Sequence, residues 1–313
     1  MKGLEISEKF YIEYGEPMLH NIFPEIKQHI AVGLLGSGSE CFGFDDNIST
    51  DHDFEPGFCL LLPDEDIIDR STAFALERAY SKLPKEFMGY KRSSTDPVGG
   101  NRHGVIRISD FMTEKTGNAE GILSPNDWFF IPEQSLKEVT NGKIFRDDFG
   151  VITIIRQRLS YLPEDIRLKK LAGNLLKMGQ SGQYNYNRCI SRGDTAAAQL
   201  CVIEFVKSAL NTIFLLNRTY IPYYKWCFYE LKNLPILNGI AEPLEYLISS
   251  PNNATESANK QKLIEQISID IIAELKRQNI TDFDGPETEG HAYSVNYKIT
   301  DSNIRNLHIL YAV

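Results

Sequence analysis

Unbroken apolar runs are short in the first third of the chain. Ile30–Leu35 and Phe58–Leu62 are each bounded by Gly, Pro or Asp, and Gly104–Ser109 follows a Gly-rich stretch. Runs of this length with such flanks predict buried strands. Helical spacing separates them. Phe10, Tyr14, Leu19 and Phe23 give an apolar side to a helix running from a Ser7 cap towards Ile26, interrupted by Gly15 and Pro17. Ile67, Ile68, Phe74, Ala75 and Tyr80 predict a helix within Asp64–Leu83, and Pro125–Val139 reads as another with Ser124 as its cap. Arg92–Arg102 is rich in Ser, Pro and Gly and reads as a loop.

The texture changes near Phe149. From Ile152 to Leu234 the spacing is helical, with Leu168, Leu171, Leu175 and Met178 on one helix and the apolar residues of Leu200–Leu215 on a mostly buried one. A third helix begins near Pro222, Ser249–Asn253 reads as a turn or linker, and Lys260–Gln278 is amphipathic through Ile264, Ile267, Ile271 and Leu275. From Asn279 onward no period stands out, and no internal repeat is visible. The pattern predicts an α/β (α+β) domain with a mixed sheet over 1–149, then an all-α helical bundle over 150–313.

Composition narrows the function. At 313 residues, 42% hydrophobic and 24% charged, the chain is an ordinary globular one with room for two domains. A net charge of -9 argues against broad nucleic-acid binding, which needs clustered Lys and Arg. The five cysteines (Cys41, Cys59, Cys189, Cys201, Cys227) form no CxxC pair, and the six histidines show no HExxH spacing, so zinc is not expected. The cysteines read as reduced. No signal-peptide core and no uninterrupted apolar run of about 20 residues is present, so a cytoplasmic protein without a membrane partner is the expectation.

Candidate chemistry lies in Gly36–Asp53, GSGSECFGFDDNISTDHD. Gly36, Ser37, Gly38 and Ser39 follow the first predicted strand, and Asp51 and Asp53 precede the second. In extended chain Asp51 and Asp53 point to one face, and His52 to the other. Paired carboxylates opposite a Gly/Ser bend suit Mg²⁺ (or Mn²⁺) with substrate phosphates, since Mg²⁺ is held by one or two carboxylates plus phosphate oxygens. Asp45 and Asp46 read as turn-formers. Two other phosphate motifs fit poorly. The dinucleotide fingerprint needs a third Gly where Cys41 stands, with a helix directly after, and a P-loop needs a Lys that is absent.

Gly38-Ser39, a spacer of Glu40–Thr50, and Asp51-x-Asp53 resemble the nucleotidyltransferase signature of the DNA polymerase beta superfamily. The fuller string, with LSPNDWFFIPEQ (Leu123–Gln134), Gln183–Arg188, Arg192–Asp194 and YIPYYKW (Tyr220–Trp226), resembles bacterial two-domain proteins that join such a domain to an uncharacterised all-helical C-terminal domain. The resemblance implies transfer of a nucleoside monophosphate from a nucleoside triphosphate, with ATP favoured, to a hydroxyl acceptor through Asp51 and Asp53. A small-molecule acceptor is favoured over a protein or RNA. It also implies a third carboxylate on a later strand. Gly104–Ser109 offers Ile106 and Arg107 there, so Asp110 at its end is the candidate third ligand or general base, while Glu55 is followed by Pro56. A missing third acid would leave a nucleotide-binding regulatory module. Lys225 is either a cation for the triphosphate in a cleft between the domains or a lysine packed among aromatics. Tyr184, Tyr186 and Arg188 read as scaffold or an acceptor pocket, and Arg156 and Arg158 as surface.

Overall fold

The computed structural model describes residues 2–46, 55–92, 103–311 and 313. The fold is mixed α/β: a four-stranded mixed sheet, a two-stranded ribbon and many helices. The chain divides into two compact units, Met1–Ser124 with Ile131–Ser160, and Pro125–Phe130 with Tyr161–Val313. Every described strand belongs to the first unit.

The first unit begins with α1 (Gly3–Phe10), a π-helical turn (Tyr11–Gly15) and α2 (Glu16–Ile22). Ser7 is buried inside α1 and is not a cap; the expected single helix is three pieces, with Pro17 at the start of α2. Next come β1 (Ala31–Leu34), a one-turn helix α3 (Ser39–Phe42), β2 (Cys59–Leu62) and α4 (Arg70–Ser81). Asp69 caps α4, accepting from the Thr72 N–H at 2.7 Å, so the helix starts later than the apolar pattern suggested. The ribbon is β3 (Glu86–Phe87) and β4 (Tyr90–Lys91), and β5 (Gly104–Arg107) returns to the main sheet.

The strand predicted over Gly104–Ser109 is cut short, because α5 (Ile108–Thr116) starts directly after Arg107. The helix predicted over Pro125–Val139 is two helices, α6 (Pro125–Phe130) and α7 (Glu133–Thr140). Pro132 stands at the break, where its ring and missing N–H prevent a helix from running through. β6 (Lys143–Arg146) and α8 (Val151–Arg158) complete the unit.

The sheet order is β5-β2-β1-β6. β1 lies antiparallel to β2 with Gly33 opposite Cys59, and antiparallel to β6 across an irregularity at Val32/Gly33. β2 runs parallel to β5, Cys59 beside Gly104 and Leu62 beside Arg107. β1 and β2 are buried along their whole length, which explains their continuous apolar runs. On one face Val32, Leu60 and Leu62 pack with Ile6, Phe10, Leu19, Phe58, Leu76 and Tyr80. Tyr80 joins that core by accepting the Phe58 N–H at 3.1 Å, and burial pushes its hydroxyl up to about 12.

The second unit's described secondary-structure elements are all helices. It holds α6, α9 (Glu164–Met178), a π-helical stretch (Gly179–Tyr186), α10 (Asn187–Ser191), α11 (Thr195–Leu216) and α12 (Cys227–Leu231), then α13 (Ala241–Ser249), α14 (Ala254–Arg277), α15 (Thr288–Tyr297) and α16 (Ser302–Asn306). α11 is long and apolar enough to cross a bilayer, but 61% of its apolar window is buried within the protein, the position of a core helix. Asn253 caps α14, accepting from the Glu256 N–H at 2.9 Å, so the helix starts earlier than Lys260.

Buried cations close three helix C-termini here. Lys169 donates to Leu307 O at 2.6 Å, Arg305 O at 3.1 Å and Asn296 Oδ1 at 2.9 Å. Lys260 donates to Ser250 O at 2.6 Å and Asn252 Oδ1 at 3.0 Å. Arg167 reaches Leu215 O at 3.3 Å and pairs with Glu164. Each meets carbonyls in the last turn or at the cap of a helix, where the helix dipole favours positive charge.

The tail that shows no period is held in addition by an uncharged buried side chain. His291 is buried, with Nε2 2.9 Å from Gly285 O and Nδ1 2.8 Å from Thr281 Oγ1. Donation from Nε2 to the carbonyl and acceptance at Nδ1 suit the neutral ring. Burial pushes its pKa below 6.5, so the stability gained by staying neutral is present above pH 6.5 and is lost as pH falls below it. Thermal melts from pH 7.5 to 5 should show a falling melting temperature. His291→Gln should be less stable at pH 7.5 and lose less on acidification; an unchanged pH slope would contradict this.

Candidate functional site

The Gly36–Ser39 bend leaves β1 at the sheet end marked by Leu34. Gly36 has φ 103° and Gly38 φ 124°, backbone that L side chains rarely adopt, so glycine is needed at both. Gly36 is buried, Ser37 is exposed, and Gly38 and Ser39 are half-buried. A helical turn, α3, follows at once, and the chain leaves helix again by Phe44.

The bend is fastened by a residue about a hundred positions away. The Gly36 N–H donates to Asn141 Oδ1 at 2.9 Å, and Asn141 Nδ2 donates to Gly36 O at 2.7 Å. The Gly142 N–H donates to Cys41 O at 2.8 Å. Gly142 has φ 63°, and a Cβ there would lie 2.0 Å from Leu34 O. Behind it, Arg156 Nη2 donates to Thr140 O at 2.8 Å, while its buried Nη1 has no hydrogen-bond partner. Burial pushes this guanidinium below its usual pKa. Arg156 is therefore not a surface residue; Arg158 is exposed and donates to Glu120 O at 3.0 Å.

Strand direction decides what else reaches this end of the sheet. β2 is antiparallel to β1, so Glu55–Phe58 enter β2 beside the bend. β5 is parallel to β2, so His103 enters beside them. Glu55 and His103 meet there, Oε1 to Nδ1 at 3.3 Å, and the imidazole lies against Gly57. Glu40 of α3 is buried near the bend.

Asp51, His52 and Asp53 lie outside the described residues. β5 carries no acid. Asp110 is exposed in the first turn of α5, not on a strand, and the chain reaches it from Arg107, at the far end of β5 from the bend. Its neighbour Phe111 turns back to lie 3.7 Å from where a Gly36 Cβ would be. Arg107 donates to Pro63 O at 2.6 Å and Ile68 O at 2.9 Å, tying down the start of the loop before α4. Among the described residues no three His, Cys, Asp or Glu side chains gather as a metal site.

Asp45 is buried and accepts the Gly3 N–H at 2.9 Å, so it anchors the N-terminus of α1. Lys225 is exposed in the second unit, Nζ 5.1 Å from the centroid of the Trp226 ring. Tyr186 is buried and bonds Asn252 Oδ1 at 3.1 Å. Arg188 stacks at 4.7 Å over exposed Tyr184 and donates to its hydroxyl.

The structure thus brings together the bend, Glu40, Asn141, Gly142 and the Glu55–His103 pair. Of these, only the bend was a site expected from sequence. Asn141-Gly142 is a turn signal in the sequence, but its partner cannot be read from spacing.

Residues 128–227 match the family model of a domain of unknown function (DUF4037). None of the curated proteins matches the chain.

The Asn141 latch makes a stability prediction. Asn141→Ala strips two hydrogen bonds from the Gly36 backbone and should cost about 1–3 kcal/mol. Gly142→Ala adds left-handed strain of about 1–3 kcal/mol to a clash with backbone. Urea unfolding should show both losses, the second the larger, and Asn141→Ala with wild-type stability would refute the latch.

Proposed function

We propose that the chain is a nucleotidyltransferase that moves a nucleoside monophosphate from a nucleoside triphosphate, ATP favoured, to a hydroxyl acceptor, with a small molecule favoured. The observation that carries this reading is the shared sheet end. The Gly36–Ser39 bend leaves β1 at the sheet end where β2 begins with Cys59, six residues after Asp53. Backbone N–H groups of such a bend can approach phosphate oxygens.

The resemblance adds a divalent cation on Asp51 and Asp53, which would neutralise charge on the phosphates and the leaving pyrophosphate. The chain's own part is positioning. The bend, stiffened by Asn141, would hold the triphosphate so that the acceptor oxygen faces the α-phosphorus in line with the departing pyrophosphate. Phosphoryl and nucleotidyl transfers ask little covalent work of the protein, so fixed geometry and charge dominate. On this reading the site is cytoplasmic and Mg²⁺-dependent (or Mn²⁺-dependent).

A second reading has its own support. β5 lacks an acid and Asp110 stands on a helix, which favours a nucleotide-binding regulatory module with weak or no turnover. Calorimetric nucleotide titration with and without Mg²⁺, run beside a pyrophosphate-release assay over a broad acceptor panel, separates the two. Transfer predicts binding and acceptor-dependent release; the module predicts binding alone; no binding sinks both. Asp51→Asn with Asp53→Asn should abolish Mg²⁺-dependent binding while leaving the circular dichroism spectrum and melting temperature near wild type. Full binding by the double variant would refute the assignment.

A further inference from the structure

Two cysteine sulfurs touch in the second unit. Cys189 in α10 and Cys201 in α11 are both half-buried, with Sγ to Sγ 3.9 Å. The other three cysteines are buried apart from this pair: Cys41 and Cys59 belong to the first unit, and Cys227 donates to Pro222 O at 3.5 Å. The corner between α10 and α11 is tight. Gly193 has φ 73°, the Asp194 N–H donates to Cys189 O at 3.0 Å, and the Asp194 carboxylate caps α11 by accepting the Ala197 N–H at 2.9 Å. Cys189 is therefore bonded through its own carbonyl to the cap of the helix that carries Cys201.

We propose that Cys189 and Cys201 are a disulfide-forming pair, oxidised by a peroxide into a reversible staple across the Arg192–Asp194 corner. A disulfide needs sulfurs about 2.05 Å apart. The approach still required is about 2 Å, within the reach of side-chain rotation about χ1. In the first step one thiolate attacks a peroxide oxygen. The O–O bond breaks, the departing hydroxide or alkoxide takes a proton, and the cysteine becomes a sulfenic acid. The second thiolate then attacks that sulfur, the S–O bond breaks and hydroxide leaves to be protonated to water. Two thiol hydrogens are lost in all, and the peroxide is reduced. Thiol reagents reverse the bond by exchange.

The site controls the rate. Burial, then the hydrogen bond with Cys189, push the Cys201 thiol up to about 11. Cys201 is therefore seldom a thiolate at neutral pH, which makes it a slow nucleophile towards peroxide. Once formed it ties α10 to the first two turns of α11. Arg192, exposed at the corner, then lies inside a closed covalent loop.

The full chain is treated with hydrogen peroxide, alkylated and weighed intact. The expected result is loss of the mass of two hydrogens, restored by dithiothreitol, with peptide mapping placing the link between Cys189 and Cys201. Trypsin cut at Arg192 should leave the oxidised chain in one piece until it is reduced. The melting temperature should rise by a few degrees, since a cross-link narrows the unfolded ensemble. Cys189→Ser and Cys201→Ser should each abolish the mass loss. Cys227→Ser, which removes the other thiol of the second unit, should keep it. A link mapped to any other pair, an intermolecular link, or only added oxygen on these sulfurs overturns the proposal. Mapping of the wild-type chain decides the matter even if a variant folds poorly.

Discussion

One side-chain amide, that of Asn141, fixes the backbone on which the functional reading rests. It donates to the Gly36 carbonyl and accepts the Gly36 N–H, reproducing a strand partner for a residue that has left the strand. Gly142 beside it carries no side chain, so β6 can close onto Leu34. A bend of glycines and serines has high conformational entropy when free. Ordering it costs about 1–2 kcal/mol per residue, and two hydrogen bonds to one rigid neighbour offset part of that. The bend is therefore formed before any ligand arrives, and ordering it need not be drawn from binding energy. Arg156, bonded to Thr140 O with a second nitrogen unpartnered, places positive charge behind the same connection.

What could be read from sequence followed burial. β1 and β2 were legible because both faces are covered, so their apolar runs have no polar interruptions. β6 was not. It is a half-exposed strand reading Lys-Ile-Phe-Arg, too short and too mixed to separate from the helix before it. α5 begins within what looked like strand, since Ile108 is apolar in either structure and nothing punctuates the change at Arg107. The break at Pro132 was marked by its residue type, yet the flanking apolar pattern continues across it. Of the site, the bend was legible as a local Gly/Ser signal. Asn141, Arg156 and the Glu55–His103 pair were not, because each acts through partners distant in the chain.

The helical unit depends on a different device. Lys169, Lys260 and Arg167 carry charge into the interior, where an unpaired ion would cost several kcal/mol. Each instead meets carbonyl or amide oxygens at the end of a helix, so one group answers both its own burial and the orphaned acceptors. This explains how the tail packs without an apolar period of its own. α16 is fastened by the Lys169 ammonium, α15 presents Asn296 to the same nitrogen, and His291 closes the loop before α15. Sequence shows only a lysine within an apolar helix, which reads as a surface residue until its partners are known.

On the proposed reading, the Asn141-braced bend and the carboxylates of Asp51 and Asp53 form one phosphate site. A crystal structure with a non-hydrolysable nucleoside triphosphate and Mg²⁺ tests it most directly. Phosphate oxygens should lie against the Gly36–Ser39 backbone, with the cation shared between those phosphates and both carboxylates. Nucleotide bound elsewhere, or the two carboxylates turned away from the bend, would contradict it.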